Sequence, residues 1–137
     1  MGNNASFQKV NFENIQEMLK MPSDYVLINT LPVTQQDCLI KTTILASNEE
    51  SVINKHLNNK SKNIKIIIYG KNCNDSKLHQ KYTQLQSLGF SNIYIYIGGM
   101  FEWLLLQDIY GASEFPTTSK QLDILKYNSE RNTGLFM

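Results

Sequence analysis

The sequence predicts an α/β fold in which a central parallel β-sheet is flanked by helices on both faces. Three observations predict it. Apolar runs of strand length, "DYVLINTLP", "IKIIIYG" and "NIYIYI", recur along the chain, and segments with three- and four-residue apolar spacing lie between them. The run "IKIIIYG" is apolar without alternation, as a strand covered on both faces must be. Strand patterns also alternate with helical patterns of about ten to fifteen residues, which is the signature of right-handed βαβ units.

The elements follow in order. In "NFENIQEMLKMP", Phe12, Ile15, Met18 and Leu19 share one helical face, Asn11 stands at the N-cap position, and Pro22 lies just past the end. "DYVLINTLP" is a strand stopped by Pro32, and "LIKTTILA" is a second, weaker strand candidate. Ser47 and Glu50 are in capping-box register ahead of Val52, Ile53 and Leu57, so "SNEESVINKHL" is expected to be a helix with that box at its start. After the turn chemistry of "LNNKSKN" comes the strand "IKIIIYG". From Asp75 or Ser76 as N-cap, Leu78, Tyr82, Leu85 and Leu88 recur on one face, and Gly89 stands where a helix C-cap favours positive φ.

"NIYIYI" then supplies a strand with Tyr94 and Tyr96 on one face and Ile95 on the other. A Gly98–Gly99 turn leads into "MFEWLLLQDIYG", a helix ended by Gly111. Its apolar surface exceeds one core-facing stripe, which implies burial against the tail or a docking surface. Glu102 and Asp108 are expected to face water. A turn around Pro116 and a short helix through Leu122 and Leu125 complete a single domain over residues 10–127, between a flexible arm (1–9) and a loose tail (128–137).

Composition narrows the function. With 137 residues, 42% of them apolar, the chain suits one core without disulfides or metals. A net charge of +1, scattered lysines and a lone arginine, Arg131, give no footprint for nucleic acid. Cys38 and Cys73 form no disulfide framework and suit a reducing compartment, and Cys38 reads as a small buried apolar residue. A zinc site would need both cysteines and both histidines, His56 and His79, to converge, so neither a metal nor a cofactor is expected. No apolar run approaches the roughly 18 residues of a membrane span, and the N-terminus lacks a signal-peptide core, so a cytoplasmic protein is expected. "MGNNAS" matches the N-myristoylation pattern, with Gly2 as acceptor and Ser6 four positions on. In a eukaryotic setting one such chain would give weak, reversible membrane association.

The stretch "IIIYG", a loop, a helix ending "LGF", then "SNIYIYIGG" and "MFEW" resembles the second half of a rhodanese-like domain. Leu88, Gly89, Phe90, Gly98, Gly99 and Trp103 match that family's pattern in type and order, and the resemblance extends over roughly residues 10 to 112. By themselves these residues speak for backbone geometry and core rather than for activity. Upstream, Asn29 stands where the family has an acidic residue, Leu31 where it has an arginine, and Leu39 where it has a histidine.

The resemblance implies a site at the carboxyl ends of the strands, where a cysteine directly after the strand's aromatic residue carries a persulfide inside a ring of backbone amides. In this sequence Gly70 follows Tyr69, and the only thiol of the loop is Cys73. The candidate anion-binding loop comprises Gly70, Lys71, Asn72, Cys73, Asn74, Asp75, Ser76 and Lys77. Lys77 stands in for the family's usual arginine, keeping charge and losing the planar fork, while Asp75 would repel the same anion. A helix N-terminus with Lys71 and Lys77 nearby would favour a Cys73 thiolate. A cysteine-dependent phosphatase is disfavoured because His79 occupies the place of its arginine.

Two readings result. The first is a catalytically degenerate rhodanese-like module that binds a protein partner or a small anionic or sulfur-containing ligand. The second is a sulfurtransferase or thiol-based sensor acting through Cys73.

Overall fold

A computed structural model of the chain describes residues 7–60 and 62–129. The elements are β1 (Lys9–Val10), α1 (Phe12–Met18), β2 (Tyr25–Asn29), α2 (Ala46–Asn58), β3 (Lys65–Tyr69), α3 (Lys77–Ser87), β4 (Ile93–Tyr96) and α4 (Gly99–Tyr110), followed by a 3-10 turn at Ile124–Tyr127. The strands form one parallel sheet in the order β1-β4-β3-β2.

Alternation along the strands sorts the core into two layers. Tyr25, Leu27, Ile67, Tyr69 and Tyr96 face α1, α4 and the C-terminal segment, where Ile15, Met100, Trp103, Phe115 and Tyr127 are buried. Val26, Ile28, Ile66, Ile68, Ile93 and Ile95 face the other way, onto Ile53 of α2 and Leu78, Tyr82 and Leu85 of α3. Helices therefore cover both faces, and β3, buried from Ile66 to Tyr69, is apolar throughout for that reason. Its carboxyl end opens into the loop that precedes α3.

Several local expectations hold. Asn11 caps α1 through a reciprocal box in which the Asn11 side chain accepts from the Asn14 amide at 3.1 Å and the Asn14 side chain accepts from the Asn11 amide at 3.0 Å. Gly89 has φ +105°, so the left-handed turn after α3 favours glycine there. Tyr94 and Tyr96 share the α4 side of the sheet, with Ile95 on the other.

Other expectations are corrected. Residues 7–9, assigned to the flexible arm, belong to the fold: Lys9 and Val10 pair with β4, the Gln8 side chain donates to the Ile93 carbonyl at 3.1 Å, and Phe7 stacks on His79. Residues 1–6 lie outside the described residues. "LIKTTILA" is not a strand. The Tyr69 hydroxyl, at the end of β3, accepts from the Ile40 amide at 3.1 Å and pairs with Thr43 Oγ1 at 2.8 Å, and Thr42 turns the backbone to φ +73°. Only Ile44 reaches the edge of β2, donating to the Leu27 carbonyl at 2.9 Å and so covering an otherwise open strand.

The Ser47–Glu50 box does not form, because α2 already starts at Ala46, whose amide donates to the remote Gln36 side chain at 3.2 Å. Leu88 is exposed rather than core. Glu102 does not simply face water, since it accepts a hydrogen bond from the buried Tyr96 hydroxyl at 2.6 Å.

The segment after α4 explains part of that helix's apolar excess. Trp103 Nε1 donates to the Pro116 carbonyl at 3.1 Å, and Gln107 donates to the Phe115 carbonyl at 2.8 Å, so backbone from the tail lies along α4. The predicted last helix is reduced to the 3-10 turn. Its anchor is the buried Tyr127, while Leu122 and Leu125 point outward.

Candidate functional site

The loop between β3 and α3 sits beyond the carboxyl ends of the strands, where open α/β sheets place their ligands. Its entry is fixed by Gly70, next to Thr30 at the end of β2; the Thr30 amide donates to the Tyr69 carbonyl at 3.0 Å, continuing the ladder by one residue. Two amides at the start of α4 hold the loop from the other side: Met100 donates to the Gly70 carbonyl and Phe101 to the Lys71 carbonyl, each at 2.9 Å. That approach needs Gly99. Its φ is +66°, and a Cβ there would stand 2.7 Å from the Gly70 carbonyl oxygen. The glycine pair is thus more than a turn, because it lets the helix start dock on the loop backbone.

The centre of the loop is occupied by the Asp75 side chain. Asp75 Oδ2 accepts from Thr30 Oγ1 at 2.9 Å and from the Lys71 amide at 3.2 Å, while Oδ1 accepts from the Lys77 amide at 3.0 Å. A side chain at position 70 has no room. A Cβ built on Gly70 would overlap Asp75 Oδ2 and lie 2.7 Å from Thr30 Oγ1 and 2.8 Å from Asp75 Cγ. Ser76 is the N-cap residue of α3 but makes no side-chain cap bond, and the Asp75 carboxylate serves the first helical amide instead.

Asn72 ties the loop to the C-terminal segment. Its side chain is buried, donating to the Tyr127 carbonyl at 2.8 Å and accepting from the Asn74 amide at 2.8 Å. Asn74 in turn donates to Ser129 Oγ at 2.9 Å. Beside these contacts lies an open depression of about 470 Å³, lined by Thr30, Lys71, Asn74, Asp75, Lys77 and Ser129 among others. Among the described residues neither Lys71 nor Lys77 makes an ion pair.

Cys73 is not in that depression. Its thiol is exposed, with Asn74 Oδ1 at 3.8 Å as its hydrogen-bond partner. Of the loop residues selected from sequence, the structure therefore groups Gly70, Lys71, Asn72, Asn74, Asp75, Ser76 and Lys77 and leaves Cys73 on the rim. Cys38 is buried, its thiol donating to the Ser119 carbonyl at 3.3 Å, and burial pushes that thiol's pKa up. Gly2 lies outside the described residues.

Asn29, at the family's acidic position, is a buried bracket. Its Oδ1 accepts from the Leu31 amide at 3.0 Å and from Gln36 Nε2 at 2.7 Å, which shapes the turn after β2. His56 and His79 lie on different helices, and among the described residues no three His, Cys, Asp or Glu side chains are grouped as a metal site would require. No helix among the described residues is long and apolar enough to cross a membrane.

Sequence reasoning missed Thr30. The available signal was positional: it is the first residue after a parallel strand adjacent to the one that ends at Tyr69. It also missed the part played by Tyr127, which no local pattern links to residue 72.

Comparison with known families places the chain. Residues 26–106 match the rhodanese-like domain model, and the chain belongs to that family. Similar solved structures include the rhodanese-like domain of the Alr3790 protein from Anabaena sp., with 18% identity over 93% of this chain and 94% of that one at a TM-score of 0.57. A yeast protein tyrosine phosphatase of the rhodanese family aligns with 11% identity over 89% of this chain and 99% of its own, at a TM-score of 0.62. A Saccharomyces cerevisiae single-domain sulfurtransferase aligns with 15% identity over 80% and 98% of the two chains, at 0.54. At these identities the likeness concerns the fold. No curated protein matches the sequence.

Proposed function

We propose that this rhodanese-like domain is catalytically degenerate and works as a binding or regulatory module. One observation carries the reading: the position directly after Tyr69 is glycine, and the space its side chain would take is filled by the Asp75 carboxylate. A persulfide carrier needs its sulfur inside the ring of amides, and here those amides already serve a carboxylate. In support, Cys73 is exposed and is not among the residues that line the depression beside the loop.

The ligand is a protein partner or a small anionic or sulfur-containing molecule meeting the polar depression beside the loop. A cytoplasmic setting, with acylation at Gly2 adding weak membrane attachment, completes the reading and rests on the N-terminal motif. Metabolic labelling with a clickable myristate, and Gly2→Ala as control, tests that part. Absence of label on the wild type in a eukaryotic host removes it.

The exposure of Cys73 favours one alternative, a sulfurtransferase or thiol-based sensor acting through that residue. Sulfur transfer from thiosulfate to cyanide separates the two. Degeneracy expects wild type and Cys73→Ser to be equally inactive, whereas turnover that disappears in Cys73→Ser would establish the alternative.

A further inference from the structure

We infer that the open side of α4 is the interface of a two-fold homodimer, in which the outer stripe of this helix in each copy seats in the groove beside the same helix of the other. That groove shares no lining residue with the depression beside the β3–α3 loop, so the inference holds whether or not the loop retains chemistry.

The rest of the fold uses only part of the apolar surface of α4. Met100, Trp103 and Leu104 are buried on its core side, whereas Leu105 is 40% exposed and Ile109, one turn further on, is 67% exposed. On the segment that follows the helix, Leu122 and Leu125 also point outward, 79% and 69% exposed. Between helix and segment runs an open groove of about 500 Å³, whose walls include Asp108, Ala112, Lys41, Lys120, Leu122 and Ile124. The end of the helix is bare as well, since no atom of the described residues lies within 4 Å of where a Gly111 Cβ would stand. Apolar side chains this exposed on both sides of one groove form a patch, and such patches mark association sites.

Charge identifies the occupant. Asp108, Lys41 and Lys120 line the same groove, yet among the described residues none of the three makes an ion pair. The helix thus presents Leu105 and Ile109 beside one carboxylate, and the other wall presents Leu122 and Ile124 beside two ammonium groups. Each set is the complement of the other, and both stand on one face of one chain. A second copy turned through a two-fold axis satisfies such a face, because every contact is then made twice. Leu105 and Ile109 of each copy act as the anchors of a helix-in-groove contact, and Asp108 meets the lysines of the second copy.

The test is sedimentation equilibrium of the full chain, with its concentration raised from about 5 to about 500 µM. The weight-average mass is expected to climb from that of the monomer towards twice that value. Ile109→Glu places a charge in the apolar stripe, Leu122→Glu does so on the facing wall, and Asp108→Lys sets like charge against like. Each is expected to raise the dimer dissociation constant at least about tenfold, since a substitution at a two-fold contact acts twice. Inverting all the groove charges, Asp108→Lys with Lys41→Glu and Lys120→Glu, is expected to recover association. These positions are exposed, so the variants should unfold at the wild-type urea midpoint, and Leu122→Glu, off the helix, keeps the question answerable if a helix variant does not fold. A monomer mass across the whole range would overturn the proposal, whether residues 130–137 or a different protein covers the face. So would a dimer that no folded variant weakens, because it would form elsewhere. A folded charge-inverted protein that stays monomeric would overturn the pairing of Asp108 with the lysines, and with it the two-fold arrangement.

Discussion

Gly70 and Asp75 should behave as one coupled unit, and a stability cycle reads the coupling. Gly70 does not have a positive φ, so replacing it by alanine should ordinarily stabilise the protein by about 0.4–1 kcal/mol through the unfolded chain. The added Cβ, however, overlaps Asp75 Oδ2 and expels the carboxylate from its three donors. Hydrogen bonds to a charged acceptor are worth about 1.5–3 kcal/mol each when buried, but Asp75 is only half-buried and the freed groups reach water, so a total loss of about 1–3 kcal/mol is appropriate. Gly70→Ala is therefore expected to destabilise by about 1–2 kcal/mol, which at a urea slope of about 2 kcal/mol/M lowers the midpoint by roughly half to one molar.

In an Asp75→Ala background the obstacle is absent, and Thr30, no longer engaged as a donor, is free to rotate away. There the same Gly70→Ala change should be neutral or stabilising. Urea unfolding of wild type, both single variants and the double variant measures the cycle. A Gly70→Ala protein as stable as wild type with Asp75 present would refute the packing argument, because the backbone effect alone would then account for the result.

Three further predictions follow from the same geometry. Gly99→Ala combines a left-handed φ of +66° with a Cβ 2.7 Å from a backbone oxygen, so it should cost at least about 2 kcal/mol in urea unfolding and shift the amide resonances of residues 70–72. Asn72→Ala should cost about 1–3 kcal/mol, since it strands the Tyr127 carbonyl and the Asn74 amide, and limited proteolysis should then cut within residues 115–129 faster than in wild type. Burial pushes the Tyr127 phenol up to about 12 and raises the Tyr25, Tyr69 and Tyr96 phenols as well. The folded state then holds protons that the unfolded state releases from about pH 10, so this stability is complete below pH 10 and falls as pH rises through 12. The urea midpoint of wild type should decline above pH 10, and that of Tyr127→Phe less steeply; parallel declines would show that Tyr127 does not contribute.

The fold was legible because its signals are local and repeated. "IKIIIYG" reads as a doubly covered strand since both of its faces meet helices, and the spacing of Leu78, Tyr82 and Leu85 needed only one buried stripe. What failed was decided at a distance. "LIKTTILA" has the composition of a strand, but the Tyr69 hydroxyl, remote in sequence, captures Ile40 and Thr43 and holds the segment in a turn. β1 is too short to carry a pattern and exists only because β4 offers it an edge. The Ser47–Glu50 pairing was displaced by Gln36, a cap brought in by the turn after β2.

The site was half legible. The loop boundaries and the glycine at position 70 could be read directly, and so could the charge of Asp75. That this charge folds inward rather than simply repelling a ligand depends on Thr30, which reaches the loop only through the order of strands in the sheet.

The bond from the Asn72 side chain to the Tyr127 carbonyl gives the end of the domain a mechanical role. Backbone that clasps Trp103 at one point and residue 72 at another works as a strap, so a load applied at Ser129 is delivered to the mouth of the sheet. A fusion joined there would not be inert: its pull would register first in the geometry of the polar hollow.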